Sequence, residues 1–129
     1  MDQELLEAIR SVLLRHNGIK NMSRGIFTDP LPRGGHPYLC LRCVQPSKEN
    51  GLSHGAGKSL VSFEVSVWNQ AIRWWESGKL LGLVFEILEG RYLTLEKAES
   101  RIRHVPASRK IMLQPHEHWS DKYQALVHY

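Results

Sequence analysis

The sequence predicts an α+β domain with a curved, mainly antiparallel sheet and a flanking helix at each end of the chain. A length of 129 residues suits one domain with its own apolar core. The stretch from Ser59 to Glu96 holds the longest apolar run and three of the four tryptophans, so the core is expected there. We therefore predict a single domain over 1–129, with a helix over 1–17, a sheet core over 37–113 and a second helix over 116–129.

Both flanking helices are predicted from apolar residues that recur with the 3.6-residue helical period. In the first, acids occupy the first turn and Gly18 ends the pattern. Its apolar stripe consists of Leu5, Leu6, Ile9, Val12 and Leu13. In the second, Trp119, Tyr123 and Leu126 recur at i, i+4 and i+7, shortly after Pro115.

Alternating polar and apolar residues predict the strands on either side of the centre. The segments 37–44 and 60–66 alternate in this way. In the second of them the face that carries Glu64 should be the wetter one. The core face should carry Val61, Phe63, Val65 and Val67. A last short strand is predicted over 110–113, after an irregular basic segment over 98–109.

The centre of the chain predicts a short helix followed by a β-hairpin. Trp68, Ile72 and Trp75 fall at i, i+4 and i+7, and Gly78 stands where a helix would end. Trp75, on this stripe, is expected in the core, whereas Trp74 lies off it and is the better candidate for an exposed stacking platform. The apolar run 80–88 and the alternating run 91–95 are separated by a Glu-Gly turn signal, which favours two paired strands.

The order of these motifs resembles the OB-fold of bacterial-type single-stranded-DNA-binding proteins. Val65 to Trp68 is similar to the end of a strand in that family, Gly78-Lys79 to its turn, and Glu89 to Leu93 to the close of the next strand. The segment 27–33 looks like its early Asp-Pro turn. The likeness covers about half of the chain, and the spacing between Gly78 and the later glycine is longer than usual. It implies an OB-like barrel that binds single strands.

Charge and aromatic content favour a polyanionic partner. The net charge is +4 and the pI about 9.3. Basic residues concentrate over 15–48 and 91–110, on both sides of the tryptophan-rich centre. Proteins that hold single strands combine cationic grooves with aromatic faces on which bases stack. We therefore predict a non-catalytic module for single-stranded nucleic acid that needs no cofactor. Its candidate site residues are Arg42, Arg73, Trp74, Lys79, Arg91, Tyr92, Arg101 and Arg103.

Two other functions remain open from the residues. The apolar stripes of the two terminal helices could dock a small adaptor subunit onto a larger protein or ribonucleoprotein complex. Alternatively, Glu64 and Asp29 could hold a divalent ion in a nuclease, with Lys58 supplying charge, although the Glu-x-Lys pattern of such sites is replaced by Glu-x-Ser.

The remaining motifs are incomplete. The sequence 55–59 (GAGKS) would need a glycine at position 52 to be a phosphate-binding loop, and Leu52 stands there. Cys40 and Cys43 have zinc-ligand spacing without a second ligand pair, and the histidines near the C-terminus could form a metal tract. No apolar run approaches the roughly 20 residues of a membrane helix, and the acidic N-terminus is unlike a signal peptide. We expect an intracellular protein without a membrane partner.

Overall fold

The computed structural model describes residues 2–28, 35–44, 57–70, 73–113 and 117–129. The helices described there are α1 (Asp2–Leu14), α2 (Asn17–Met22) and α3 (Trp74–Leu88). The strands are β1 (Ile26–Phe27), β2 (Tyr38–Val44), β3 (Lys58–Trp68), β4 (Tyr92–Thr94), β5 (Glu99–His104), β6 (Lys110–Met112) and β7 (His118–His128).

The described strands form one curved sheet in the order β1-β2-β3-β7-β5-β4, and β6 pairs with β7 as well. β1 and β2 are parallel, whereas every other pair is antiparallel. β3 and β7 pair along their whole length, from Lys58 opposite His128 to Trp68 opposite His118. The mixed α+β class with a curved, mainly antiparallel sheet is confirmed, while closure into an OB-like barrel stays a prediction.

One face of the sheet is covered by α1 and α3 and forms the core. Strand residues alternate between faces, and the odd-numbered residues of β3 and β7 lie on the covered side. The buried strand residues of this face include Leu39, Leu41, Phe63, Val65, Val67, Ala125 and Val127. Helix α1 contributes its predicted apolar stripe, which is buried throughout. We call the opposite side, with Arg42, Glu64 and Lys122, the outer face.

The predicted short helix over 68–77 and the predicted strand over 80–88 are both wrong. A single helix, α3, runs from Trp74 to Leu88. It buries a helical stripe of Ser77, Leu80, Leu81, Val84 and Leu88, because α3 packs on the sheet with one side only. Gly78 lies inside the helix, and Trp68 ends β3. The turn predicted at Glu89-Gly90 is confirmed, and Gly90 has φ +74° there.

The predicted C-terminal helix over 116–129 is wrong, since residues 118–128 form β7. Trp119 and Tyr123, at i and i+4, suggested a helix. Residues four apart also share one face of a strand, because strand side chains alternate with a period of two. Asp121, Ala125 and Val127 complete that alternation and are buried. β7 supplies the partner that β3 and β5 both require. The sheet therefore extends beyond the predicted core range of 37–113, and the helix at the N-terminal end is α1.

The strands predicted over 37–44, 60–66 and 110–113 are confirmed as β2, β3 and β6. The segment 98–109, predicted to be irregular, contains β5. The expectation that the Glu64 face is wetter is wrong at that residue. Glu64 is 8% exposed, and its carboxylate accepts a bond from Arg42 Nε at 3.3 Å.

Candidate interaction surfaces

A protruding loop separates β5 from β6 along the same edge of β7. His104 stands opposite Tyr123, and Lys110 stands opposite Ser120. Residues 105–109 therefore bulge out against only two residues of β7, 121 and 122. Hydrogen bonds tie the bulge to Lys122. Its carbonyl accepts from Val105 N at 2.9 Å, and its backbone N–H donates to the Ser108 hydroxyl at 3.0 Å. These bonds hold the bulge in place before β6.

A buried ion pair anchors the same bulge. Both oxygens of the Asp121 carboxylate accept from Arg109, each at 3.0 Å. The Asp121 side chain is 2% exposed, whereas that of Arg109 is 42% exposed. The hydrogen bonds to Asp121 raise the pKa of Arg109 above its usual value, against the smaller effect of burial. Arg109 thus closes over the carboxylate from the solvent side and pins the bulge to β7.

Two aromatic groups line the buried side of this ion pair. The imidazole Nε2 of His104 lies 3.8 Å from Asp121 Oδ2. The rings of His104 and Tyr123 are in edge contact at 5.0 Å. Burial, reinforced by the Asp121 carboxylate, raises the pKa of the Tyr123 phenol. Its hydroxyl has no hydrogen-bond partner among the described residues.

Large apolar side chains are exposed in one region next to this bulge. They lie on the exposed side of α3 and on β6 with the residue that follows it. This apolar strip consists of Trp74, Trp75, Phe85, Ile111 and Leu113, whereas exposed Met112, opposite His118, lies on the outer face. Trp74 and Trp75 are 57% and 56% exposed, and their rings meet edge to face at 6.3 Å. Neither tryptophan belongs to the core, contrary to the expectation for Trp75.

Trp119 joins the two halves of the apolar strip. Its ring stacks with Trp74 at 6.5 Å, and it is the register partner of Ile111. Gly78 of α3 lies against the same ring, which a Cβ on that glycine would meet at 3.4 Å. At the other end, Phe85 contacts His104 at 5.2 Å. The strip is therefore a continuous surface between α3 and the β5-β6 segment.

Exposed cations lie on both sides of the β6 edge. Lys79 lies on α3, one turn after Trp75, whereas Lys110, opposite Ser120, lies on the outer face. Both are exposed, and neither forms an ion pair with any residue in the described part of the chain. Arg73, by contrast, pairs with Glu76 at 3.7 Å, and Arg109 is held by its buried acid. Two exposed cations without acidic partners thus lie near β6, Lys79 on the α3 side and Lys110 on the outer face, while Glu86 on α3 is an exposed acid beside Phe85.

A second surface lies on the outer face, beside β4 and β5. Its groove has a volume of about 390 Å³ and is lined by Tyr92, Glu99, Ser100, Arg101, Arg103, Leu126 and His128. The Arg101 guanidinium lies over the Tyr92 ring, 5.3 Å from its centre, a favourable cation–π contact. Arg103 pairs with Glu89 at 3.1 Å. The groove offers a stacking surface with mixed charge.

The predicted nucleic-acid residues lie in three places. Tyr92, Arg101 and Arg103 come together in this groove, with exposed Arg91 beside them in sequence. A second group lies at the start of α3, with Arg73 directly before the helix and Trp74 and Lys79 in its first turns. Arg42 is on β2, three strands away from β5, and is paired with an acid. Three of the predicted cations (Arg42, Arg73 and Arg103) have carboxylate partners.

A row of aromatic rings crosses the outer face and was not predicted. Tyr38 and Trp68 are register partners, as are Trp68 and His118. Their ring centres are 6.1 and 4.4 Å apart. The row borders a cavity of about 220 Å³ that Arg42 and Glu64 also line. Only strand register creates this row, because the three residues are distant in sequence.

The terminal elements do not offer the docking stripes that the adaptor hypothesis assumed. The apolar stripe of α1 is buried in the protein's own core, and the second predicted helix is the central strand β7. The exposed apolar surface lies on α3 and β6 instead. The sequence signal for this surface was the tryptophan pair 74–75, of which Trp75 was expected in the core and Trp74 on the surface.

The structure describes only some of the residues that were considered as metal ligands. The described residues contain no group of three potential metal ligands. Asp29, His116 and the glycines at 51 and 55 lie outside the described residues. Glu64 is engaged by Arg42, so a nuclease role for it stays a prediction. Within the described ranges, no helix is long and apolar enough to cross a membrane.

Comparison with known proteins gives a structural neighbour. No family model matches the chain, and no curated protein matches it in sequence. Among solved structures, a chain from the virion of a native gene transfer agent particle matches with a TM-score of 0.76 at 15% identity. The match covers 98% of this chain and 96% of that chain. The two proteins therefore share a fold from end to end.

Proposed function

We propose that this protein is a structural subunit of a larger protein assembly. The proposal rests on the fold match, which covers nearly the whole of both chains. The matching chain belongs to the structure of a virion particle. Matched length on both sides means that this fold, without added domains, occurs as a particle component. The exposed surface of the chain supports the same function independently.

The apolar strip has the character of an interface core. Large contiguous apolar patches are rare on monomers and mark interaction sites. Aromatic residues are enriched at interface centres, and tryptophan is prominent among binding hot spots. With roughly 100 Å² left in solvent per ring, burial of Trp74 or Trp75 would contribute about 2.5 kcal/mol each at about 25 cal/mol per Å². Such a surface is more stable covered than in water.

The experiment is gradient sedimentation of the tagged protein from cells that express it at its natural level. We expect the protein to sediment with a large particle, and a Trp74→Ala/Trp75→Ala variant to shift to the free fraction. Tyr92→Ala is the matched control, since it also removes an exposed aromatic ring but lies on the outer face. If the unaltered protein sediments only as a free chain, the proposal fails.

A second candidate function is the binding of single-stranded nucleic acid on the outer face. Strand alternation places Arg42, Lys58, Arg101, Arg103 and Lys122 on that face. The acids there are Glu64 and Glu99, so the face is basic on balance. The contact of Arg101 with the exposed Tyr92 ring offers a platform on which a base could stack.

This candidate is tested by titrating a labelled single-stranded oligonucleotide at low and moderate salt, with magnesium present. Binding should weaken steeply with salt, because neutralised phosphates release counterions. Arg101→Glu should abolish it, whereas Lys79→Glu, on the α3 side, should leave it unchanged. Binding that is insensitive to salt or to Arg101→Glu would remove this candidate, and a shortened strand would favour the nuclease hypothesis.

A further inference from the structure

We propose that the open edge of β6 takes up an extended, acid-bearing segment of a different protein, which adds to the sheet as a further strand. The inference rests on the proposed function, because it names the surface through which a neighbouring subunit is held. It is carried by three features of the described residues that coincide at β6: an unpaired strand edge, the apolar strip beside it and two unpaired cations, Lys79 and Lys110, on the two sides of that edge.

The strand edge is available for pairing. β6 bonds to β7 on one side, and no described strand pairs with its other side. The ion pair of Arg109 with Asp121 fixes the chain just before Lys110. β6 is therefore held in an extended conformation although it is short. An exposed apolar edge strand is a template for pairing with another chain, and strand addition is a recurrent mode of peptide recognition.

The apolar strip beside this edge suits alternating side chains. In a strand added next to β6, every second side chain would lie on the side of Ile111, Trp74 and the ring of Trp119. Those positions of the partner should be apolar. The positions between them would lie on the outer face, on the same side as Lys110. Main-chain bonds to β6 would supply affinity, and the apolar strip would select the alternating pattern.

Charge identifies the partner as acidic and as a different protein. Lys79 and Lys110 lack acidic partners among the described residues, so carboxylates flanking the apolar positions would complement them. A symmetric contact between two copies of β6 would instead bring both Lys110 side chains onto the same face of one interface. Like charges across a contact are destabilising. A basic edge is thus better matched by an acidic segment than by itself.

The test uses the isotopically labelled full chain and three synthetic peptides in a nuclear magnetic resonance titration. The first peptide, ELSVELTD, alternates apolar and polar residues and carries acids. The second, ELLVSTED, has the same composition without the alternation, and the third, KLSVKLTK, replaces the acids by lysine. We expect only the first peptide to shift the backbone amide resonances of 109–113 and the indole N–H resonances of Trp74 and Trp119. The same peptide should slow hydrogen exchange at β6.

Charge variants sharpen the test without disturbing the core. Lys79→Glu combined with Lys110→Glu should weaken binding of the acidic peptide by about tenfold or more, as expected for two reversed surface charges. Lys20→Glu, an exposed lysine on α2, is the matched control and should leave the affinity unchanged. Unchanged affinity in the double variant, or shifts confined to the groove beside β4 and β5, would overturn the proposal.

The outcomes separate this inference from the proposed function. If the protein sediments in a large particle but the peptide leaves the β6 amides unchanged, the docking proposal fails and the subunit function stands. If the peptide binds as expected but the protein never enters an assembly, the subunit function fails. Shifts at 109–113 that grow with protein concentration alone would assign the edge to a second copy and refute a different partner.

Discussion

The ion pair between Arg109 and Asp121 should make the two residues unequal in their effect on stability. Arg109→Met leaves a carboxylate that is 2% exposed without its two 3.0 Å hydrogen bonds. Removing one partner of a buried pair costs about 3–5 kcal/mol, because the remaining charge is uncompensated. Asp121→Asn leaves Arg109, which is 42% exposed and can hydrate, so its cost should be about 1–2 kcal/mol.

The assay is urea unfolding monitored by tryptophan fluorescence. Free energies of unfolding are compared between variants with equal m-values, the slope of that free energy against urea concentration. The double variant should be more stable than Arg109→Met alone, since the asparagine no longer carries a buried charge. Equal costs for the two single variants, or a double variant no better than Arg109→Met, would refute the view that burial of the Asp121 charge dominates. Arg103→Met, which breaks an exposed pair with Glu89, is the control and should cost below about 1 kcal/mol.

Three further changes test other parts of the fold. Tyr123→Phe should be neutral or slightly stabilising at pH 7, because the buried hydroxyl has no described partner. The raised pKa of Tyr123 means that its contribution to stability is present below its unfolded pKa of about 10 and is lost as pH rises further, so the variant should resist alkaline unfolding better. Gly90→Ala should cost about 1 kcal/mol, measured by urea unfolding, because φ is +74° while a Cβ there would meet no neighbour; a larger cost would indicate a steric clash. Leu81→Ala should cost about 2–5 kcal/mol in the same measurement, and a negligible loss would contradict its place in the core.

The candidate site was predictable only in its residue types. The tryptophan pair 74–75 and the scattered arginines are evident in the sequence, but their grouping depends on which strands are neighbours. The groove brings Tyr92 close to Arg101 and Arg103 because β4 pairs with β5. Arg42 was separated from them by β3 and β7. The β6 edge gave no sequence signal beyond a short apolar run, because an edge exists only relative to the rest of the sheet.

The sequence by itself determined the elements whose pattern admits one period. Helix α1 and strands β2 and β3 each satisfy a single periodicity, and each formed as predicted. Tertiary structure decided the conformation of the segments whose pattern fits both a helix and a strand, or neither. Residues 118–128 fit both a helix and a strand, and the unpaired edges of β3 and β5 selected the strand because burying their backbone groups requires a partner. The apolar run after Trp75 became a helix because one of its sides meets the sheet, which left the two tryptophans at its start in solvent.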